Sequence, residues 1–330
     1  MNNRRKLIVA LGAGALVVPF GSFAQQQGKI WRLGYLDLGS RQSMVDSGRY
    51  AALIEGLRER GYVEGKNLVL DVRHADGKTD RLDEFAAELV RQKVDLIMTA
   101  GSETSIAARR ATTTIPIVVT VTTDPVHDGY AATLSRPGGN LTGMTNGQVD
   151  TVQKLVELLT IAAPKLKRIA VLTNPTSFSG LSMLLEVQAA ARQIGRQVLP
   201  LSASTPEEIE RSFGMMAREH VDALVIPTNA FLLSQRAQIA ALALKHRLPS
   251  IYPQQQYAEA GGLMSYGSDT NDNFRRAGIF VDKILKGAKP GEIPFEQPTR
   301  YYLVINRKTA NALGVKITGE LLTRADKVIE

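Results

Sequence analysis

Short apolar runs alternate with longer stretches of helical period along most of the chain. Arg32-Leu33-Gly34-Tyr35-Leu36 predicts a strand, a helix follows to Arg60-Gly61, and Leu68-Val69-Leu70 starts the next strand. Such alternation marks an α/β protein with parallel sheets. The succession then recurs: Arg168-Ile169-Ala170-Val171-Leu172 predicts a strand, a helix runs to Ile194-Gly195, and Gln197-Val198-Leu199 opens another strand. Val94-Asp95-Leu96-Ile97 and Ile115-Pro116-Ile117 are answered by Val221-Asp222-Ala223-Leu224 and Leu248-Pro249-Ser250-Ile251. The three offsets are 136, 127 and 133 residues. Any α/β protein repeats βα units, but a drift of this size fits two lobes of like topology with loops of different length.

Gly and Pro interrupt both periodicities at Arg136-Pro137-Gly138-Gly139-Asn140-Leu141-Thr142-Gly143, where a first crossing between lobes is expected. A second glycine-bounded stretch, Gly261-Gly262-Leu263-Met264-Ser265-Tyr266-Gly267, follows the last βα unit of the second lobe. The helical segment 273–285 is expected to return to the first lobe, and 301–305 is a candidate third crossing. The expected fold is two Rossmann-like lobes with parallel sheets, joined by a hinge of several crossings. Residues 29–141 plus 268–297 form lobe 1, and 142–267 plus 298–330 form lobe 2. Multiple crossings permit rigid-body closure.

The N-terminus changes the setting. Arg4-Arg5-Lys6 precedes an uncharged run from Leu7 to Phe20, then Ser22-Phe23-Ala24 places small residues at the −3 and −1 positions. Residues 1–24 therefore read as a cleavable signal peptide; a membrane anchor needs about 20 apolar residues. Arg4-Arg5 also fits the twin-arginine route, although Val9 stands where a polar residue is usual, so general secretion is the preferred path. The chain has no cysteine, which excludes both a lipidated anchor and disulfides. A freely diffusing periplasmic protein is expected. The leader carries three basic and no acidic residues, so its removal leaves 306 residues and takes the net charge from +8 to +5. The remaining charge is scattered, which argues against nucleic-acid binding.

Five segments, in order, carry a family resemblance. They are Thr123-Asp124-Pro125-Val126, the 136–143 segment, the 261–267 segment, Ile284-Leu285-Lys286-Gly287-Ala288-Lys289-Pro290, and Arg324-Ala325-Asp326-Lys327-Val328-Ile329-Glu330. Together they resemble the ABC-transporter substrate-binding family, in the branch that includes tryptophan- and tyrosine-binding members. The resemblance implies a type I periplasmic-binding-protein fold and a non-catalytic receptor without a cofactor. Such a receptor captures a small solute between its lobes and delivers it to a membrane permease driven by an ATPase subunit. No G-x-x-x-x-G-K-[ST] motif occurs in this chain, so ATP hydrolysis belongs to another subunit.

Ligands of open α/β sheets sit beyond the carboxyl ends of the strands, so the loops there are the candidates. Ala100-Gly101-Ser102-Glu103-Thr104-Ser105 opens a helix. Gly101 permits close backbone approach, and Ser102 and Thr104 add hydroxyls, a combination suited to a carboxylate. Ser102 or Thr104 serving as an ordinary N-cap is the plainer alternative. Glu103 replaces the proline common at this place in the family and is expected to face solvent, since it would repel a bound anion. Thr123 and Asp124 offer acceptors for an ammonium group, with Asp124 as a helix cap the competing role.

From the second lobe come Asn174, Ser177 and Phe178 after the first strand, and Asn229 after the third. Phe178 suits stacking on an apolar ligand or packing on its own lobe. Gln254 follows the fourth strand; Tyr266 and Asp269 lie near the second crossing, where hinge packing and helix capping are their alternatives. Asp37-Leu38-Gly39-Ser40 is a candidate rim. An enzyme finds little support: four histidines show no paired metal spacing, and Gly180-Leu181-Ser182-Met183-Leu184 lacks the closing glycine of a nucleophile elbow. The leading function is an importer receptor for an aromatic or branched amino acid, the alternative a periplasmic co-receptor for a signalling protein.

Overall fold

The computed structural model describes residues 29–175 and 178–330. The signal segment and Ser177 lie outside the described residues, and Phe178 is described only as the first residue of helix Phe178–Gln193.

The first sheet is built from β1 (Trp31–Asp37), β2 (Leu68–His74), β3 (Leu96–Thr99), β4 (Ile117–Thr122) and β5 (Leu141–Thr145), all parallel in the order β2-β1-β3-β4-β5. Leu33, Tyr35, Leu96 and Met98 enter one core with helix Arg49–Glu59, while Leu36, Leu89, Ile97 and Ile117 enter another on the opposite face. Successive strand residues thus feed opposite layers, and a parallel sheet covered on both faces reads as continuous apolar runs.

The second sheet contains β6 (Arg168–Thr173), β7 (Gln197–Ser202), β8 (Ala223–Val225), β9 (Ser250–Tyr252), β10 (Met264–Gly267), β11 (Tyr302–Asn306) and β12 (Lys327–Ile329). Its order is β12-β11-β10-β9-β8-β6-β7, so its first five strands repeat the topology of the first sheet. The extension departs from an all-parallel sheet, because β11 runs antiparallel to β10.

The glycine-rich segment 136–143 is not a crossing; it enters β5, which pairs with β4 in the first sheet. Gly143 is needed there, since a Cβ would fall 2.0 Å from the Val119 carbonyl oxygen. The chain leaves this sheet only after Thr145. It comes back after β10: helix Thr270–Leu285 places Phe274, Ala277, Phe280 and Val281 in the core of the first lobe. Among the described residues no helix is long and apolar enough to cross a membrane.

Candidate functional site

The order β2-β1-β3 puts a topological switch between β1 and β3, and β7-β6-β8 puts another between β6 and β8. Loops diverge at such points and leave a crevice at the carboxyl ends of the strands. A gap between the lobes lies at this place, where open α/β folds hold small ligands. The first lobe lines it with Leu38, Arg49, residues 100–103, residues 121–123 and Asn146; the second contributes Thr151, residues 228–230, Leu233, Pro253, Gln254, Gln256, Gly267 and Ser268.

Gly101 adopts φ +95°, a conformation that glycine tolerates, and its N–H donates to the Val121 carbonyl at 2.8 Å. Helix Ser102–Ala111 begins here without a side-chain cap, so the Ser102 or Thr104 cap is not formed. Thr104 Oγ1 instead donates to the carbonyls of Ala100 or Gly101 at 2.9 and 3.1 Å, and Ser105 Oγ donates to Gly101 at 2.7 Å. An uncapped N-terminus favours an anionic ligand group. Ser102 Oγ donates to Asp128 Oδ2. Burial pushes the Asp128 carboxyl up, Ser102 pulls it down, Asp124 pushes it up and His127 pulls it down.

Arg49 begins helix Arg49–Glu59 and is only 7% exposed. Its Nε donates to Ser47 Oγ at 2.7 Å, a second nitrogen reaches Ser43 Oγ at 3.5 Å, and the guanidinium lies 5.7 Å from the Phe274 ring centroid. Among the described residues no carboxylate pairs with it. A buried cation without a counter-ion is costly, and a ligand carboxylate removes that cost. On the facing lobe Gln254 is also 7% exposed, and its Oε1 has no hydrogen-bond partner. Asn146 bridges the lobes, its Nδ2 reaching Thr123 Oγ1 at 3.5 Å and Thr228 Oγ1 at 3.4 Å.

Of the residues singled out in the sequence, Gly101, Ser102, Thr123, Asn229 and Gln254 line the gap. Thr104 is buried behind it. Asp124 does not line it; its Oδ1 accepts from the N–H groups of Val126 and His127 at 3.1 and 2.9 Å. Asn174 is buried and likewise outside the lining. Tyr266 stacks on Tyr301, centroids 5.9 Å apart, and Asp269 caps helix Thr270–Leu285 through Asn271 N at 2.9 Å; both serve the hinge side. Glu103 lines the gap instead of facing solvent. Arg49, Asn146 and Thr151 were missed. The one local signal for Arg49 is Ser47-Gly48, which splits an expected single helix into Arg41–Asp46 and Arg49–Glu59.

Two lobes of this topology around a partly buried, largely apolar cleft with a few polar groups define a ligand-binding protein. The chain belongs to the ABC transporter substrate-binding protein family, whose match spans residues 43–329. It is 27% identical over 263 residues to a tyrosine-binding protein of Clostridioides difficile, covering 80% of this chain and 75% of that one. A conserved domain protein from Vibrio cholerae superposes with a TM-score of 0.85 at 27% identity, covering 91% of this chain and all of the other. An ABC domain from Streptococcus pneumonia in complex with L-Trp gives 0.83 at 27% identity, over 90% of this chain and 100% of its own. The family is one of substrate-binding proteins rather than enzymes, and the fold is that of type I periplasmic binding proteins.

Proposed function

We propose that this protein is the periplasmic receptor of an ABC importer and that its ligand is an amino acid with an apolar, aromatic or branched side chain. The observation that carries the reading is Arg49, a buried guanidinium in the cleft that no carboxylate of the described chain neutralises. Gln254 Oε1 offers an acceptor to an ammonium group. Leu38, Val121, Ala230 and Leu233 supply the apolar wall. Relatives named for tyrosine or crystallised with L-Trp support the class.

In this reading the lobes comprise about the spans expected from the sequence, with β5 added to the first, and they swing about the strands between Thr145 and Gly147, Gly267 and Asp269, and Pro298 and Tyr301. Closure is worth the ligand's differential affinity for the closed form, and that form docks on a permease with an ATPase subunit. A thermal-shift panel of the twenty amino acids, simple carboxylates, sugars and metal cations tests the ligand class. Stabilisation by one or more amino acids is expected; stabilisation by a sugar or cation with no response to amino acids or carboxylates overturns it.

A further inference from the structure

Ser102 stands at the cleft surface with its hydroxyl turned back onto Asp128, which lies behind the loop and outside the lining. A hydroxyl has one proton and two lone pairs, and an ionised carboxylate only accepts. With its proton committed to Asp128 and the Tyr130 hydroxyl also beside it, Ser102 keeps a lone pair with which it meets the cleft as an acceptor. The neighbouring hydroxyls of Thr104 and Ser105 are turned onto backbone carbonyls, so Ser102 alone among the three faces a ligand.

We propose that Asp128 is a positioning residue: by holding the Ser102 proton it makes Ser102 an acceptor for the ligand's ammonium group, so that the cleft selects amino acids over the same acids lacking the amine. The unpartnered Gln254 Oε1 lies across the same gap as a second acceptor. Arg49 takes the carboxylate, which both classes of compound carry. This inference rests on the amino-acid reading above. It adds what that reading lacks, a reason for discriminating against a free carboxylic acid.

Calorimetry at neutral pH with L-tyrosine, L-tryptophan and L-leucine, each paired with its des-amino acid, provides the test. The wild type is expected to prefer the amino acid, and Asp128→Ala to lower that preference about tenfold or more, the scale of one hydrogen bond to a charged group. A merely structural loss would weaken both members of a pair equally. Ser102→Ala is expected to lower the preference by a similar factor, and adding Asp128→Ala to it to change nothing further, since the two act as one unit. An unchanged preference in either single variant overturns the inference, as does an Asp128→Ala effect that persists without Ser102. If the wild type binds no amino acid at all, the amino-acid reading falls and this inference with it; if it binds and only the variants misbehave, this inference alone falls.

Discussion

Gly278 packs on the backbone of Gly56: a Cβ at Gly278 would lie 2.4 Å from the Gly56 carbonyl oxygen, and one at Gly56 would lie 1.8 Å from that of Arg275. Helices Arg49–Glu59 and Thr270–Leu285 therefore touch backbone to backbone. This contact fastens the returning helix to the first lobe and holds Phe274 beneath the Arg49 guanidinium. Gly278→Ala is expected to destabilise the protein by about 1–3 kcal/mol, the usual cost of overpacking. Gly214→Ala is the matched control: it lies in helix Pro206–Arg218 with nothing within 4 Å of a new Cβ, and should stabilise by about 0.5–1 kcal/mol. Urea unfolding of both variants measures the contrast.

Gly147 sits where the chain leaves the first sheet, with φ +61° and a would-be Cβ 2.0 Å from the Tyr301 hydroxyl oxygen. Tyr301 belongs to another crossing, so the two strands of the hinge meet at this point. Gly147→Ala displaces the Tyr301 ring and strains the backbone at a positive φ. Its expected effect is a loss of ligand affinity of about tenfold, equivalent to 1.4 kcal/mol, with partial recovery when Tyr301→Ala is added. Calorimetry on the two variants checks it.

Glu157 ties the C-terminal helix Gly319–Arg324 to helix Gln148–Ala162, accepting from Arg324 at 2.7 Å and from Lys154 at 2.8 Å. These hydrogen bonds hold its carboxyl below the usual range. A lowered folded pKa gives stability that is present above the unfolded value, about 4.3, and is lost as pH falls through the folded one. The side chain is 45% exposed, so solvent screening limits the contribution to less than about 1 kcal/mol. Glu157→Gln should thus lower the urea midpoint slightly at pH 7, and the difference from wild type should shrink as the pH is lowered into the acid range.

Much of this architecture is legible in the sequence, because parallel strands buried on both faces appear as short apolar runs, and the runs at Leu33 and Ile169 announce the same topology twice. β5 was harder. Leu141–Thr145 follows a Gly-Pro break, and its pairing with β4 depends on a backbone approach at Gly143 that no local pattern records. The cleft divides along the same line. Gly101, Ser102, Thr123, Asn229 and Gln254 follow strands whose ends topology brings together. Arg49 reaches the cleft through helix packing and Asn146 through a crossing, and neither arises from periodicity. Asp124 and Asp269 sit in sequences that suit a cap as well as a ligand contact, and the structure uses them to hold backbone N–H groups.

If Arg49 holds a ligand carboxylate, calorimetry with an amino acid and its neutral carboxamide will show it. Removing one partner of a buried, hydrogen-bonded charge pair costs about 2–5 kcal/mol. The wild type should therefore bind the amino acid at least about tenfold more tightly than the amide, and Arg49→Gln should bind the acid weakly and erase most of that difference. Equal affinity of the wild type for acid and amide, or an Arg49→Gln variant that keeps the full preference for the acid, would contradict the account.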